Sequence, residues 1–372
     1  MSTRPLRIAL LASSRYPVRQ PFAGGLEAFV FELAHGLTAA GHSVTVFAAP
    51  GSDMGLPWNV VPLRTLHMSE ETRRLDPTTP EWVVQETHAY LSVMVSLGRA
   101  ELGSFDVIHN HSPHYLPLAM AHTVGAPMLT TLHTPPLKWQ EQAVALPGGV
   151  ASSFVAVSEF TARQWNPISG PIPVILNGVD MAHRPMGPGG SYAVWTGRLV
   201  PEKGVTSAIA AARAAGIPLR IAGPIGDSTY FDTAVRPLLG DGSVGAVYDG
   251  HLRRDDLNEL VGGAAVALVT PHWDEPYGRV VAEALAAGTP VAAFARGGIP
   301  EIVDGSCGRL AAAGDIDGLS QALLEAMTLR RSDARARAER CCSHEVMVSQ
   351  YLDQYRQLLY TPEISAIEGV SA

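Results

Sequence analysis

Leu6-Arg7-Ile8-Ala9-Leu10-Leu11-Ala12 is a short apolar run. It is followed by a Pro- and Gly-containing loop, Pro17 to Gly25, and then by Leu26, Phe29, Val30, Leu33 and Leu37 at helical spacing. The segment reads as strand, glycine loop, helix. Ser43 to Ala48 then reads as a strand, Glu81 to Leu97 as a helix, and Asp106 to His109, Met128 to Leu132 and Phe154 to Val157 as further strands. Strands that alternate with helices predict an α/β fold with a parallel sheet covered on both faces.

Pro167, Gly170, Pro171 and Pro173 surround Ile172 to Leu176, and residues 178–190 are rich in Gly, Pro and Met without periodicity. An interdomain linker is expected there. The alternation then restarts with strands at Tyr192 to Trp195, Leu219 to Ala222, Ala264 to Val269 and Pro290 to Phe294, and helices at Val205 to Ala215 and Val280 to Ala287. The expected division is 1–180 and 181–344 as two doubly wound domains, 345–361 as a terminal helix and 362–372 as a disordered tail. That helix carries one buried stripe of Val348, Tyr351, Leu352, Tyr355, Leu358 and Leu359. Before it, Arg330, Arg331, Arg335, Arg337 and Arg340 scatter around a helix that is expected to be solvated.

The length of 372 residues agrees with two domains, because single cores stop growing near 250–300 residues. With 47% hydrophobic and 17% charged residues, the chain is not intrinsically disordered. A formal charge of −8 gives no overall field toward nucleic acid or anionic lipid. Cys307, Cys341 and Cys342 offer neither a disulfide framework nor zinc-ligand spacing, and no apolar stretch is long enough for a bilayer span. A soluble cytoplasmic protein is expected. Lys138 and Lys203 are the only lysines among 27 basic residues, which makes each of them worth attention.

The segment richest in chemistry is Glu275-Pro276-Tyr277-Gly278-Arg279-Val280-Val281-Ala282-Glu283. Pro276 predicts a helix that begins just after Glu275 and leaves that residue on a loop tip. Eight helical positions would separate Glu275 from Glu283 by about 12 Å, with the free amides of Tyr277 to Val280 between them. A nucleotide sugar spans a comparable length: its diphosphate needs N–H donors at a helix start, and flanking carboxylates accept sugar and ribose hydroxyls. The plainer alternative is a helix-start charge followed by a surface glutamate.

Glu275 and Glu283, with Pro276 and Gly278 between them, resemble the E-x7-E signature of retaining GT-B glycosyltransferases, especially family 4. Gly24-Gly25-Leu26-Glu27, Asn177-Gly178-Val179-Asp180, the stretch from Ala193 to Lys203-Gly204, and Gly297-Gly298-Ile299-Pro300-Glu301-Ile302-Val303 resemble further family elements in the same order. The resemblance implies two Rossmann-like domains facing a central cleft, the first for acceptor and the second for donor, with the C-terminal helix returning to the first. It also implies donor contacts from Gly24, Gly25, Arg198, Lys203, Gly223, Glu275, Tyr277, Gly278, Arg279, Val280 and Glu283. The catalytic set would be His111, Arg198, Lys203 and Glu275, with His133 and Thr134 on the acceptor side.

Arg198 and Lys203 follow a strand at its C-terminal end, where open α/β sheets bind ligands, and two cations there stabilise a departing diphosphate. No metal and no cofactor beyond the nucleotide-sugar co-substrate is expected. His109 and His111 are expected to point to opposite faces of the strand end, and Asp315-Ile316-Asp317 reads as a helix cap. Glycosyl transfer with retention is the expected activity, from a UDP sugar, with GDP possible, to a soluble small molecule or saccharide. A sugar-nucleotide 2-epimerase, a dinucleotide-dependent oxidoreductase and an inactive sugar-nucleotide sensor are the rivals. No nucleic-acid partner or stable membrane association is expected, because Met68 to Glu81 carries Glu70, Glu71 and Asp76 against only Arg73 and Arg74.

Overall fold

The computed structural model describes residues 4–53, 59–76, 78–147, 149–240 and 245–360. The tail expected at 362–372 lies outside the described residues. The first half holds β1 (Arg7–Leu11), β2 (Ser43–Ala48), β3 (Asn59–Pro62), β4 (Val107–Asn110), β5 (Met128–Leu132) and β6 (Ser152–Ala156). These form a parallel sheet in the order β3-β2-β1-β4-β5-β6. The second half holds β7 (Ala193–Thr196), β8 (Leu219–Ala222), β9 (Ala246–Gly250), β10 (Val266–Val269), β11 (Val291–Phe294) and β12 (Gly308–Ala311), ordered β12-β11-β10-β7-β8-β9. Both sheets therefore have one topology, 3-2-1-4-5-6, whose direction of winding reverses beside the first strand and opens a crevice at the strands' carboxyl ends.

The central strands are apolar because helices cover both faces. Ile8, Leu10 and Val107 pack under α1 (Gly25–Ala39), while Ala9, Leu11 and Ile108 pack under α2 (Glu81–Gly98). In the second half α4 (Val205–Ala215) and α7 (Ile316–Ala326) lie on one face, and α6 (Arg279–Ala286) and α8 (Arg331–Cys341) on the other. The remaining longer helices are α3 (Glu159–Ser169), α5 (Arg254–Gly262) and α9 (His344–Tyr360).

The chain crosses between the halves twice, at 177–190 and again at 342–344. The two crossings touch: the Val179 amide donates to the Cys342 carbonyl at 2.8 Å. Beyond the second crossing, α9 packs on α1 and buries Met347, Val348, Tyr351, Leu352 and Tyr355 in the first half's core. The Tyr355 hydroxyl is 2.6 Å from His109 Nδ1, and the Tyr351 hydroxyl is 3.1 Å from Thr131 Oγ1.

The arginine-rich helix α8 is not solvated as its sequence suggests. Arg331 donates to the carbonyls of Gly187, Gly262, Ala264 and Ala287, Arg335 to those of Arg184 and Ala286, and Arg337 to those of Glu301 and Ile302. Buried Ala334 and Ala338 form its inner face. The helix needs no wide apolar stripe because arginine forks supply the packing by binding free loop and helix-end carbonyls.

Candidate active site

The carboxyl ends of β1, β7, β8 and β10 open on a cavity of about 270 Å³ between the two halves. Gly24 and Gly25 meet it from the first half, at the N-terminus of α1. Gly24 is the N-cap, and a Cβ there would lie 3.3 Å from Arg198 Nη2 across the cleft. Glu27 in the first turn is buried, and burial pushes its carboxyl up against the opposing influence of a backbone bond and Arg198.

From the second half, Arg198 follows β7 and Lys203 ends the short turn Pro201–Lys203; both line the cavity. Gly223 follows β8 with φ +146°, and a Cβ there would sit 1.8 Å from the Gly197 carbonyl, so only glycine lets the two strand ends approach. Arg184, Arg254 and His251 also line the cavity. Buried guanidinium nitrogens without a hydrogen-bond partner among the described residues are Nε of Arg184, Arg198 and Arg254, and Nη2 of Arg254, which still lies 3.8 Å from a Glu32 oxygen and 3.9 Å from an Asp180 oxygen. Unmatched donors of this kind in a cleft suit an anionic ligand.

The helix after Glu275 starts later than Pro276 suggests. Pro276 and Tyr277 remain in the loop, Gly278 is the N-cap in the left-handed region at φ +98°, and α6 begins at Arg279. Glu283 thus lies one turn into α6, four residues from Arg279. Nor is Glu275 a free loop tip. One of its oxygens, Oε1, pairs with Lys203 Nζ and accepts from Trp273 Nε1 at 2.9 Å. The loop is seated on Gly297, whose φ is +60°; a Cβ there would fall 2.0 Å from the Glu275 carbonyl. From the first half, the Ser158 and Thr161 hydroxyls donate to the Pro276 carbonyl, and Glu301 accepts from the Glu159 and Phe160 amides at the start of α3.

Glu283 accepts from Arg184 Nη2 at 3.2 Å and Arg279 Nε at 3.1 Å, both through Oε1. Each carboxylate of the pair is therefore anchored by one oxygen and keeps Oε2 without a bond among the described residues. That is the geometry needed to fix a carboxylate and still accept a ligand hydroxyl.

Ten of the eleven residues expected at the donor line this cavity. Tyr277 does not: it is buried, and its hydroxyl donates to the Asn177 carbonyl at 2.8 Å, tying the loop to the interdomain crossing. Arg279 lines the cavity, but its guanidinium is bound to Glu32, Glu283 and the Gly178 carbonyl, so it ties the two halves together. His111, His133 and Thr134 do not line the cavity. The Thr134 carbonyl accepts from Trp165 Nε1, and buried His111 and half-buried His133 pack on Phe29, which also meets Tyr351.

His109 and His111 do not diverge. Residues i and i+2 of an extended segment share a face, and their ring centroids are 3.9 Å apart. His111 Nδ1 is 3.1 Å from His133 Nε2, and His111 Nε2 has no partner among the described residues. Burial holds His133 at about 3, and burial reinforced by the neighbouring imidazoles holds His109 and His111 well below the ordinary value. Asp315 does cap a helix, accepting from the Gly318 amide at 2.9 Å.

Sequence reading misses Arg184, Arg254 and Glu32. In a chain with 25 arginines nothing marks two of them. Glu32 does leave a trace: it is an acid within the apolar stripe of α1, beside Leu33 and one turn from Phe29, where a charge needs a buried partner.

Residues 23–183 match the family model described as Glycosyltransferase Family 4, and residues 187–340 the model described as Glycosyl transferases group 1. The glycogen synthase of Mycobacterium tuberculosis is 28% identical over 377 positions that cover 89% of each chain. The phosphatidyl-myo-inositol mannosyltransferase of Mycolicibacterium smegmatis is 29% identical over 81% of this chain and 80% of the relative. Among solved structures, Anabaena HepE in complex with UDP and glucose superposes with a TM-score of 0.72 at 19% identity, over 95% of this chain and 100% of that one.

Proposed function

This chain belongs to glycosyltransferase family 4, and on that premise we propose that it moves a sugar, with retention, from a nucleoside-diphosphate sugar to a soluble small-molecule or saccharide acceptor. One observation carries the reading: a single cleft gathers Arg198 and Lys203, the guanidinium nitrogens of Arg184 and Arg254 that lack a hydrogen bond, and the half-free carboxylates of Glu275 and Glu283. Arg198 and Lys203 stabilise the diphosphate as its bond to the anomeric carbon breaks. Glu275 Oε2 accepts from the donor sugar and Glu283 Oε2 from the ribose. The acceptor oxygen bonds to the anomeric carbon, and its proton passes to the departing phosphate on the same face.

UDP sugars rank first and GDP sugars second, and the complex of the Anabaena neighbour with UDP and glucose supports that order. The helix Glu70–Leu75 has both acids in its first turn and no buried residue, which supports an acceptor in solution over one held in a bilayer. Among the described residues no helix is long and apolar enough to cross a membrane.

The test is nucleoside diphosphate release from a panel of UDP, GDP and ADP sugars with and without acceptors, followed by NMR of the product. The expected result is acceptor-stimulated release and a glycosidic bond of the donor's own anomeric configuration. An inverted product overturns retention; no release from any donor overturns the activity.

A further inference from the structure

The second crossing between the halves begins with two adjacent cysteines. Cys341 is the last residue of α8 and Cys342 follows it, with their sulfurs 3.4 Å apart and both thiols free. Cys341 is half-buried, whereas Cys342 is 1% exposed. Contact with the Cys342 thiol, helped by the charges of Arg337 and Arg340, draws the Cys341 thiol below its ordinary value against the effect of burial. The same contact, together with burial, pushes Cys342 up. One sulfur is thus reachable and the readier to ionise, while the other stands behind it as a protonated thiol. That is the arrangement of a sensing cysteine beside its resolving partner.

Cys342 also joins three parts of the molecule. Its sulfur lies 3.3 Å from the hydroxyl of Tyr277, in the loop between Glu275 and Gly278, and its carbonyl accepts from the Val179 amide of the first crossing at 2.8 Å. There is no slack beside it. A Cβ on Gly178 would lie 2.5 Å from His344 Cα, and His344 Nε2 is 2.9 Å from the Glu32 carbonyl of α1. A shift of the main chain at 341–342 therefore reaches the Glu275 loop, the first crossing and α1 together.

We propose that Cys341 and Cys342 are a reversible oxidation site, at which hydrogen peroxide joins the two sulfurs in a disulfide and loosens the cleft. The Cys341 thiolate attacks one peroxide oxygen; the S–O bond forms as the O–O bond breaks, and the departing hydroxide takes up a proton as water. The Cys342 sulfur then attacks the sulfenic sulfur. The S–S bond forms, the S–O bond breaks, and hydroxide leaves with the Cys342 proton as a second water. Two electrons pass from the thiols to the peroxide. Adjacent Cα atoms stand about 3.8 Å apart, against the roughly 4.4–6.8 Å usual in disulfides, so the bridge closes only if the main chain at 341–342 moves. A bridge so tight is readily reduced by a dithiol, as a regulatory disulfide of a reducing compartment must be.

The test exposes the full chain to hydrogen peroxide and then to dithiothreitol, and reads peptide masses, amide hydrogen exchange and UDP affinity. The peptide that holds residues 341 and 342 should lose the mass of two hydrogens, and exchange should quicken at 177–180 and 275–279. UDP should bind about fivefold or more weakly, and dithiothreitol should reverse all three changes. Cys341→Ser, which can keep the bond that the thiol makes to the Arg337 carbonyl, should bind UDP as the untreated chain does and resist peroxide. Cys307→Ser should respond as wild type does. A bridge to Cys307, a sulfinic acid on Cys341 in place of the disulfide, or a bridged chain with unchanged exchange and UDP affinity overturns the proposal. If UDP binds neither form, the glycosyl-transfer reading falls, and masses and exchange still decide this one.

Discussion

Arg279, the first residue of α6 in the second half, donates to the carboxylate of Glu32 on α1 in the first, with both side chains buried at 8% and 5% exposure. A charge pair so enclosed joins the walls of the cleft at one point.

Breaking it by removing one partner should be costly, because the other charge stays buried. Glu32→Gln is expected to lower unfolding stability by about 3 kcal/mol, read from denaturant titration. Burial alone would push the Glu32 carboxyl up, but Arg279, Arg184 and Arg254 outweigh it and hold it below 4.5. The contribution is therefore complete above pH 4.5 and is lost as pH falls through the lower folded value, so the gap between wild type and variant should close in acid. A gap independent of pH would contradict the assignment.

Lys203→Ala should reduce turnover by about 10²- to 10³-fold while circular dichroism stays unchanged, since half-buried Lys203 ends a short turn outside the hydrophobic cores. Chelator should leave wild-type activity intact. If chelation abolishes turnover and magnesium or manganese restores it, the neutralising role given to Arg198 and Lys203 is wrong.

Glu283→Ala should weaken binding of free nucleoside diphosphate by about tenfold, because it removes the ribose acceptor and frees Arg184. Glu275→Gln should leave that affinity close to wild type and lower the rate of transfer. Calorimetry with UDP decides: equal affinity in wild type and Glu283→Ala refutes the split.

The clustered imidazoles set a second pH dependence. His133 is held at about 3 in the fold against 6.5 when unfolded, and His109 and His111 also lie well below 6.5. The unfolded chain binds these protons first as pH drops, so stability is full above 6.5 and declines from there toward 3, by up to about 1.4 kcal/mol per pH unit for each histidine. His133→Asn should flatten the melting temperature between pH 7 and 5. An unaltered slope would show that these rings carry no such linkage.

Burial explains which elements can be read from sequence. Central strands such as Met128–Leu132 and Leu219–Ala222 are read with matching bounds because all their residues except Arg220 are buried. The three strands that escape are all at sheet edges: Asn59–Pro62 ends in proline, Ala246–Gly250 holds Tyr-Asp, and Gly308–Ala311 holds Gly-Arg. The fourth edge, Ser152–Ala156, is legible only in its apolar half. In the site, Gly24, Gly25, Arg198, Lys203, Glu275 and Glu283 are readable because they recur in order along the chain. The partners of Glu275 and Glu283 are not, because Arg184 lies 99 residues from the carboxylate it binds. His111 illustrates a different limit: its place in a buried aromatic cluster depends on Tyr351 and Tyr355, which arrive from the far end of the chain.

That arrival has a consequence for how the molecule is made. Tyr351, Leu352 and Tyr355 fill the core of the half that leaves the ribosome first, yet they are translated after the second half, so the first half waits through synthesis of the entire second half with its α1 surface uncovered. A nascent chain stalled before residue 344 should bind holdase chaperones through this surface. A full-length chain released from the ribosome should let them go.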